Sequence, residues 1–70
     1  MDLAVGRAFS RLTEREQTLL DMSIIQGLPY KTIGLELDIS ESAARQATSR
    51  ARKRFREECQ VETDLQGRMK

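Results

Sequence analysis

The clearest pattern of apolar and polar positions lies between residues 40 and 56. At 100° per residue, four apolar side chains form one stripe about 80° wide, and the rest of the surface is polar. Those four are Ala44, Ala47, Ala51 and Phe55. Ser40 stands where an N-cap is expected. The pattern predicts an α-helix that starts at Ser40, extends to about Glu58 or Gln60, and packs closely through its small residues.

A shorter amphipathic segment precedes this helix. Ile33 and Leu37 are four residues apart with Gly34 beside the first, which predicts a short helix that can approach another element closely. Between the two segments, Asp38 occupies the turn position that needs a left-handed backbone, and Ile39 fills the corner. A short helix, a tight turn and a long helix at this spacing are typical of a helix-turn-helix.

Another helix is predicted earlier in the chain, from a cap at Thr13 to Gln26. Thr13 and Glu16 have the spacing of a capping box, and Gly27 follows as a C-terminal stop. The apolar residues of this helix form no single stripe, so we expect it to pack on more than one face. Pro29 is then expected at the first position of the short helix.

The two ends of the chain are less regular. A weak short helix interrupted by Gly6 is predicted near the start, and residues 61–70 are predicted to be a loosely ordered tail, in which Val61 and Leu65 could add one turn. Seventy residues make one small domain. The predicted fold class is therefore all-α, a helix-turn-helix bundle of three main helices plus a short N-terminal helix, within residues 1–60.

Positive charge is concentrated in the long helix. The chain has 12 Lys and Arg against 11 Asp and Glu, a net charge of +1. Residues 45–56 hold six bases and no acid, so the other residues carry six bases and 11 acids. Such segregation suits a polyanionic partner. The alternative is an ordinary solvated helix face, although such faces usually mix both signs.

The composition offers little for catalysis. There is no histidine and one cysteine, Cys59, so neither a zinc site of the usual ligands nor a Cys-His or Ser-His nucleophile can be assembled. Four scattered glycines form no phosphate-binding loop. We expect no enzyme activity, no metal and no cofactor. The single cysteine and the lack of an apolar leader or span favour the cytoplasm, without membrane association.

Residues 12–56 resemble region 4 of the bacterial sigma-70 family, the helix-turn-helix that reads the promoter −35 element. The likeness needs no gap and includes Leu12, Glu14, Arg15, Leu20, Gly27, Leu28, Tyr30, Ile33, Leu37, Ile39, Ser40 and residues 49–54. The chain departs from the family pattern at Pro29, Asp38 and Ala44. The start of the first long helix is also similar to LuxR-type DNA-binding domains, which generally have one residue fewer before Gly27.

The resemblance implies a transcription regulator of bacterial, phage or plasmid origin that binds double-stranded DNA sequence-specifically. In a helix-turn-helix, the N-terminal half of the second helix touches base edges in the major groove. The predicted base-reading residues are Ser42, Arg45, Gln46 and Ser49. The residues predicted to bind phosphates are Lys31, Thr32, Arg50, Lys53 and Arg54. Arg45 and Gln46 also match positions where sigma region 4 presents base-reading side chains.

The promoter-melting region 2 of sigma factors is missing, so we expect a stand-alone regulator, with an excised sigma domain as the alternative. Because one recognition helix reads only about 4 or 5 base pairs, we expect a homodimer on an inverted repeat. The candidate dimer interface is formed by Leu3, Phe9, Met22 and Ile25. Docking on RNA polymerase, mainly through protein contacts, is the main alternative. RNA binding is a further one, disfavoured by the scarcity of aromatic residues.

Overall fold

A computed structural model of the chain describes residues 3–68, with side chains through residue 65. The described residues form four α-helices and one π-helical turn, with no strand among them. The helices are α1 (Leu3–Ser10), α2 (Glu14–Leu20), α3 (Tyr30–Leu37) and α4 (Glu41–Arg68), and the π turn (Asp21–Ile25) directly continues α2. The prediction of a small all-α helix-turn-helix fold with a short N-terminal helix is confirmed.

α2 begins with the predicted capping box. The backbone N–H of Glu16 donates to Thr13 Oγ1 at 3.1 Å, and the backbone N–H of Thr13 donates to Glu16 Oε1 at 2.9 Å. Each bond satisfies an amide that has no partner within the helix, and a cap of this kind stabilises a helix by about 1 kcal/mol.

The end of this helix lies where it was predicted, but its last turn is not α-helical. The N–H of Gln26 donates to the carbonyl of Asp21 at 3.0 Å, which is the five-residue spacing of a π turn. Gly27 then takes a φ of +67°, as expected for a stop. Ile25, the last residue of the π turn, is 75% exposed.

The corner between α3 and α4 has the predicted left-handed residue. Asp38 has φ 57° and ψ 46°, and the N–H of the next residue, Ile39, donates to the carbonyl of Gly34 at 2.8 Å. A Cβ on Gly34 would lie 2.7 Å from the carbonyl oxygen of Ile39, so only glycine fits there without a shift. Gly34 therefore permits the close approach of α3 to the turn that starts α4.

Both helices of the helix-turn-helix begin at a cap. The N–H of Ala43 donates to Ser40 Oγ at 3.0 Å, which confirms Ser40 as the N-cap of α4. The prediction for Pro29 is wrong by one residue, because Pro29 is the N-cap of α3 and Tyr30 is its first residue. Pro29 has a ψ of 155°, which is extended, and its carbonyl accepts the N–H of Ile33 at 3.0 Å.

α4 is longer than predicted. It continues past Gln60 to Arg68, so residues 61–68 are helical, whereas residues 69 and 70 lie outside the described part of the chain. The added turns are held by Glu62, which is 2% exposed and forms an ion pair with Arg11 in the segment between α1 and α2. Gly67 does not end the helix, because a helical glycine costs only about 1 kcal/mol. A domain boundary at residue 60 stays a prediction.

The core is centred on the inner face of α4. Fully buried there are Ala44, Thr48 and Ala51, whereas Ala47 and Phe55 are half-buried. The predicted stripe is thus confirmed except that Thr48, omitted because its side chain is polar, is buried more deeply than Ala47. On the opposite side of this core lie apolar side chains of the other helices and their connections, namely Ala8, Leu12, Leu19, Leu20 and Ile33.

Candidate nucleic-acid interface

The four side chains predicted to read bases share the outer face of α4. All four are exposed, and at 100° per residue they lie within an arc of about 100°. They are Ser42, Arg45, Gln46 and Ser49. The arc is opposite the buried positions Ala44, Thr48 and Ala51, so the packing of α4 on the core determines which side chains point outward. The structure thus brings these four residues together on one surface; their role in reading bases stays a prediction.

The residues predicted to bind phosphates lie on two helices that meet at the turn. Arg50 and Lys53 are exposed on α4, and Lys31 is exposed in the first turn of α3, where Thr32 is half-buried. Arg54 differs from these, because its Nε donates to Glu58 Oε1 at 3.4 Å, one helical turn further along. A carboxylate at that distance offsets part of the positive charge that Arg54 could offer to a phosphate.

An aromatic ring of α3 lies against one of the predicted base-reading residues. The guanidinium carbon of Arg45 is over the ring of Tyr30, 5.6 Å from its centroid, which is within the range of a cation–π contact. The ring comes from the first residue of α3 and packs against the core. The sequence carries no signal for this contact, because Tyr30 and Arg45 are 15 residues apart and meet only through the geometry of the turn.

A second surface is an apolar groove between α1, the π turn that continues α2, and α4. The groove has a volume of about 270 Å³ and is lined by Val5, Gly6, Phe9, Leu20, Ile24, Ile25 and Phe55. Phe9 and Phe55 meet edge to face inside it, with ring centroids 6.2 Å apart. We call this surface the apolar groove.

The apolar groove contains only part of the predicted dimer interface. Phe9 and Ile25 line it, whereas Leu3 is 76% exposed outside the lining and Met22 packs against the core. Met22 is thus half-buried and lies outside the lining of the groove. Val5, Ile24 and the other lining residues were missed, since the packing of α1 has no signal in the sequence.

Other kinds of site find no support in residues 3–68. No group of three or more metal-binding side chains is close enough to hold an ion there. Among the described helices none is long and apolar enough to cross a membrane. Cys59 is half-buried on α4 and is not part of a disulfide.

Comparison with known protein families agrees with this geometry. Residues 2–55 match the family described as Sigma-70, region 4, which covers α1, α2, α3 and α4 as far as Phe55. The resemblance seen in residues 12–56 is confirmed and extends toward the start of the chain. Neither the curated proteins nor the solved structures include a match. Sigma-70 region 4 is a DNA-binding domain and not a catalytic one. The chain therefore belongs to the sigma-70 region 4 family of helix-turn-helix domains.

Proposed function

We propose that the chain is a sequence-specific transcription regulator that places α4, from Ser40 to about Glu58, in the major groove of duplex DNA. The observation that carries the proposal is the outer face of α4, where Arg45 and Gln46 are exposed on the side away from the core. An α-helix fits the width of the major groove, and its N-terminal half can reach base edges there. The rigid turn at Asp38 fixes α4 against α3, so both helices present one continuous surface.

Each side chain on this surface has a role that follows from its chemistry. Arg45 can donate two hydrogen bonds to O6 and N7 of guanine, and Gln46 can pair with N6 and N7 of adenine. Ser42 and Ser49 accept or donate a hydrogen bond with little discrimination among bases. The phosphates on either side are bound by Lys31, Thr32, Arg50 and Lys53, with Arg54 contributing less because of its bond to Glu58.

The protein acts as a homodimer on an inverted repeat. One α4 reads about 4 or 5 base pairs, and each pair contributes about 1 to 3 kcal/mol of discrimination, which is too little against a genome of nonspecific sites. Two copies related by a two-fold axis double the length of DNA that is read. The apolar groove supports this step, because Phe55 lies on the inner side of α4, so a partner bound at the groove leaves the base-reading face open.

A second candidate function is a regulator that acts mainly by docking on RNA polymerase. The same apolar groove favours it, because Ile24 and Ile25 are 55% and 75% exposed, and exposed apolar clusters mark protein contacts. The two candidates differ in what occupies the groove and in whether binding to DNA alone is sufficient for selectivity.

Selection of bound sequences from a random duplex pool tests the proposal. On the selected site we expect Arg45→Ala or Gln46→Ala to cost about 1 to 3 kcal/mol while hardly changing affinity for random duplex. Lys53→Ala is the matched control, since a lost phosphate contact weakens binding to both duplexes alike. The fold should be unaffected, because all three side chains are exposed. An Arg45→Ala variant that keeps its site preference, or that unfolds, contradicts the assignment.

Stoichiometry separates the homodimer from the docking regulator. Sedimentation of the protein with the selected duplex should show two chains on a site with two-fold symmetry. A single chain on a site without that symmetry argues against the dimer and favours docking. Gel shifts with single-stranded DNA and RNA complete the test, and preference for either over duplex rejects the major-groove mechanism.

A further inference from the structure

Tyr30 is held in place by its position at the start of α3. It is the first residue of the helix, and Pro29 before it has the constrained φ of proline, −69°. The carbonyl of Pro29 accepts the N–H of Ile33, so the backbone on both sides of Tyr30 is fixed. The ring is half-buried and packs against the core. Tyr30 therefore presents a fixed aromatic surface next to α4.

The guanidinium of Arg45 lies over this ring, 5.6 Å from its centroid. Arg45 makes no hydrogen bond or ion pair with any residue that the structure describes, and it is exposed. A cation–π contact acts on the charge of the guanidinium and takes none of its five N–H donors. The contact thus orients the side chain while its donors are still available to a ligand.

Other arginines of the chain are held differently. The guanidinium of Arg11 lies against Glu58 and Glu62, and that of Arg54 bonds to Glu58. A carboxylate offsets the positive charge and engages N–H donors, which makes an arginine less available to DNA. An aromatic ring neither neutralises the guanidinium nor engages its N–H donors. The contact with Tyr30 therefore leaves Arg45 able to bind a base.

We propose that Tyr30 is a positioning residue for Arg45, which it orders in the free protein for its contact with guanine. This inference rests on the proposed function, in which Arg45 reads a base. A long arginine side chain loses rotamer freedom when it binds, and a side chain that is ordered beforehand loses less. Tyr30 then contributes to sequence discrimination at one base pair without contacting DNA itself.

Substitutions of the ring test this role. Tyr30→Phe keeps the aromatic face, whereas Tyr30→Leu and Tyr30→Met keep an apolar side chain without one. We expect both aliphatic variants to lose about two- to fivefold in affinity for the selected duplex, the range of an exposed cation–π contact, and Tyr30→Phe to lose none. Affinity for random duplex should not change. Leu35→Ala, which removes a side chain that is 76% exposed on the same helix, is the matched control.

Two further measurements distinguish positioning from a structural role. When Arg45 is already alanine, Tyr30→Leu or Tyr30→Met should have no further effect on the selected site. Ring-current shifts of the Arg45 Hδ protons should be present in the wild type and in Tyr30→Phe, and lost in the aliphatic variants. Unfolding midpoints of all variants identify any that are poorly folded, and Tyr30→Met provides the test if Tyr30→Leu is one of them.

Three results would overturn the inference. One is an aliphatic variant that weakens selected and random duplex equally. Another is an effect that persists when Arg45 is alanine. The third is loss of the ring-current shift with no change in discrimination. If Arg45→Ala itself leaves site preference unchanged, the proposed function fails and this inference fails with it, whereas a normal Arg45→Ala effect with inert Tyr30 variants rejects the inference alone.

Discussion

A missing Cβ at one residue allows the helix-turn-helix corner to close. Gly34 is buried, and its α-carbon faces the backbone of Ile39 and Ser40, where a methyl group would lie 2.7 Å and 3.2 Å from the two carbonyl oxygens. Backbone atoms at a turn cannot move aside as the end of a flexible side chain can. Gly6, in contrast, has no atom within 4 Å of the place where its Cβ would be.

The two glycines give opposite predictions for substitution by alanine. Gly34→Ala should destabilise the fold by about 1 to 3 kcal/mol through overpacking. Gly6→Ala should stabilise it by about 0.5 to 1 kcal/mol, because alanine loses less conformational entropy inside a helix. Unfolding in urea measures both changes. Equal effects of the two substitutions would show that the corner can relax around a methyl group.

At the scale of helices, the features that depend on neighbouring residues could be predicted from sequence. The capping box at Thr13, the cap at Ser40 and the left-handed Asp38 are all set within a few residues, and all are present. Features set by tertiary packing could not be predicted. The Tyr30 contact with Arg45 is one of these, because it depends on the angle between two helices.

The candidate site likewise has features set by neighbouring residues, which could be predicted from sequence, and features set by tertiary packing, which could not. The outward direction of the residues proposed to read bases follows from the apolar stripe of α4, because residues opposite a buried stripe are exposed. The lining of the apolar groove depends on the π turn and on where α1 packs, and neither has a local sequence signal. The extension of α4 to Arg68 was missed because Glu62, a charged residue, is buried through a partner 51 positions away in the chain.

The contact of Arg11 with Glu62 gives a prediction for the extension of α4. Arg11→Ala leaves a carboxylate that is 2% exposed without its ion pair, which should destabilise the fold by about 1 to 3 kcal/mol. The lower part of that range applies if water replaces the guanidinium, since Arg11 is 39% exposed. Arg15→Ala, at an exposed position of α2, is the control and should change stability by less than about 0.5 kcal/mol.

Thermal or urea unfolding of Arg11→Ala and Arg15→Ala measures how much the ion pair of Glu62 stabilises the fold. A chain cut after Gln60 should lose less stability than Arg11→Ala, because it removes the carboxylate of Glu62 and leaves no buried charge unpaired, whereas Arg11→Ala strands that carboxylate and also removes the contact with Glu58. If neither change lowers stability, residues 61–70 behave as the loosely ordered tail predicted from sequence, and the buried contact of Glu62 contributes nothing to the fold.

At the scale of the whole molecule, α4 is the element that connects the two surfaces. Its 28 residues span about 42 Å, and the described part of the molecule is 46 Å along its longest axis. The residues proposed to read bases occupy its outer side, and Phe55 contributes to the apolar groove from its inner side. Residues 45–56 of this helix carry six bases and no acid, whereas the other residues carry six bases and 11 acids, so the excess of positive charge lies on α4.

This charge distribution predicts a strong dependence of DNA binding on salt. If each subunit neutralises four phosphates, log K should fall with log salt at a slope of about −3.6 per subunit and about −7.2 for the homodimer, so a change from roughly 50 to 200 mM should weaken binding by the homodimer about 20,000-fold. Lys53→Ala should flatten the slope by about 0.9 per subunit, whereas Arg7→Ala, on α1, should leave it unchanged. Fluorescence anisotropy across a salt series measures both, and an affinity independent of salt argues against phosphate binding by α4.

The π turn at Asp21–Ile25 has a consequence for how this chain is aligned with related families. A π turn accommodates one residue more than an α turn, so an insertion can be absorbed inside a helix without moving either of its ends. We therefore expect a one-residue difference in length between this chain and other sigma-70 region 4 domains to fall within Asp21–Ile25, and not in the loop after Gly27.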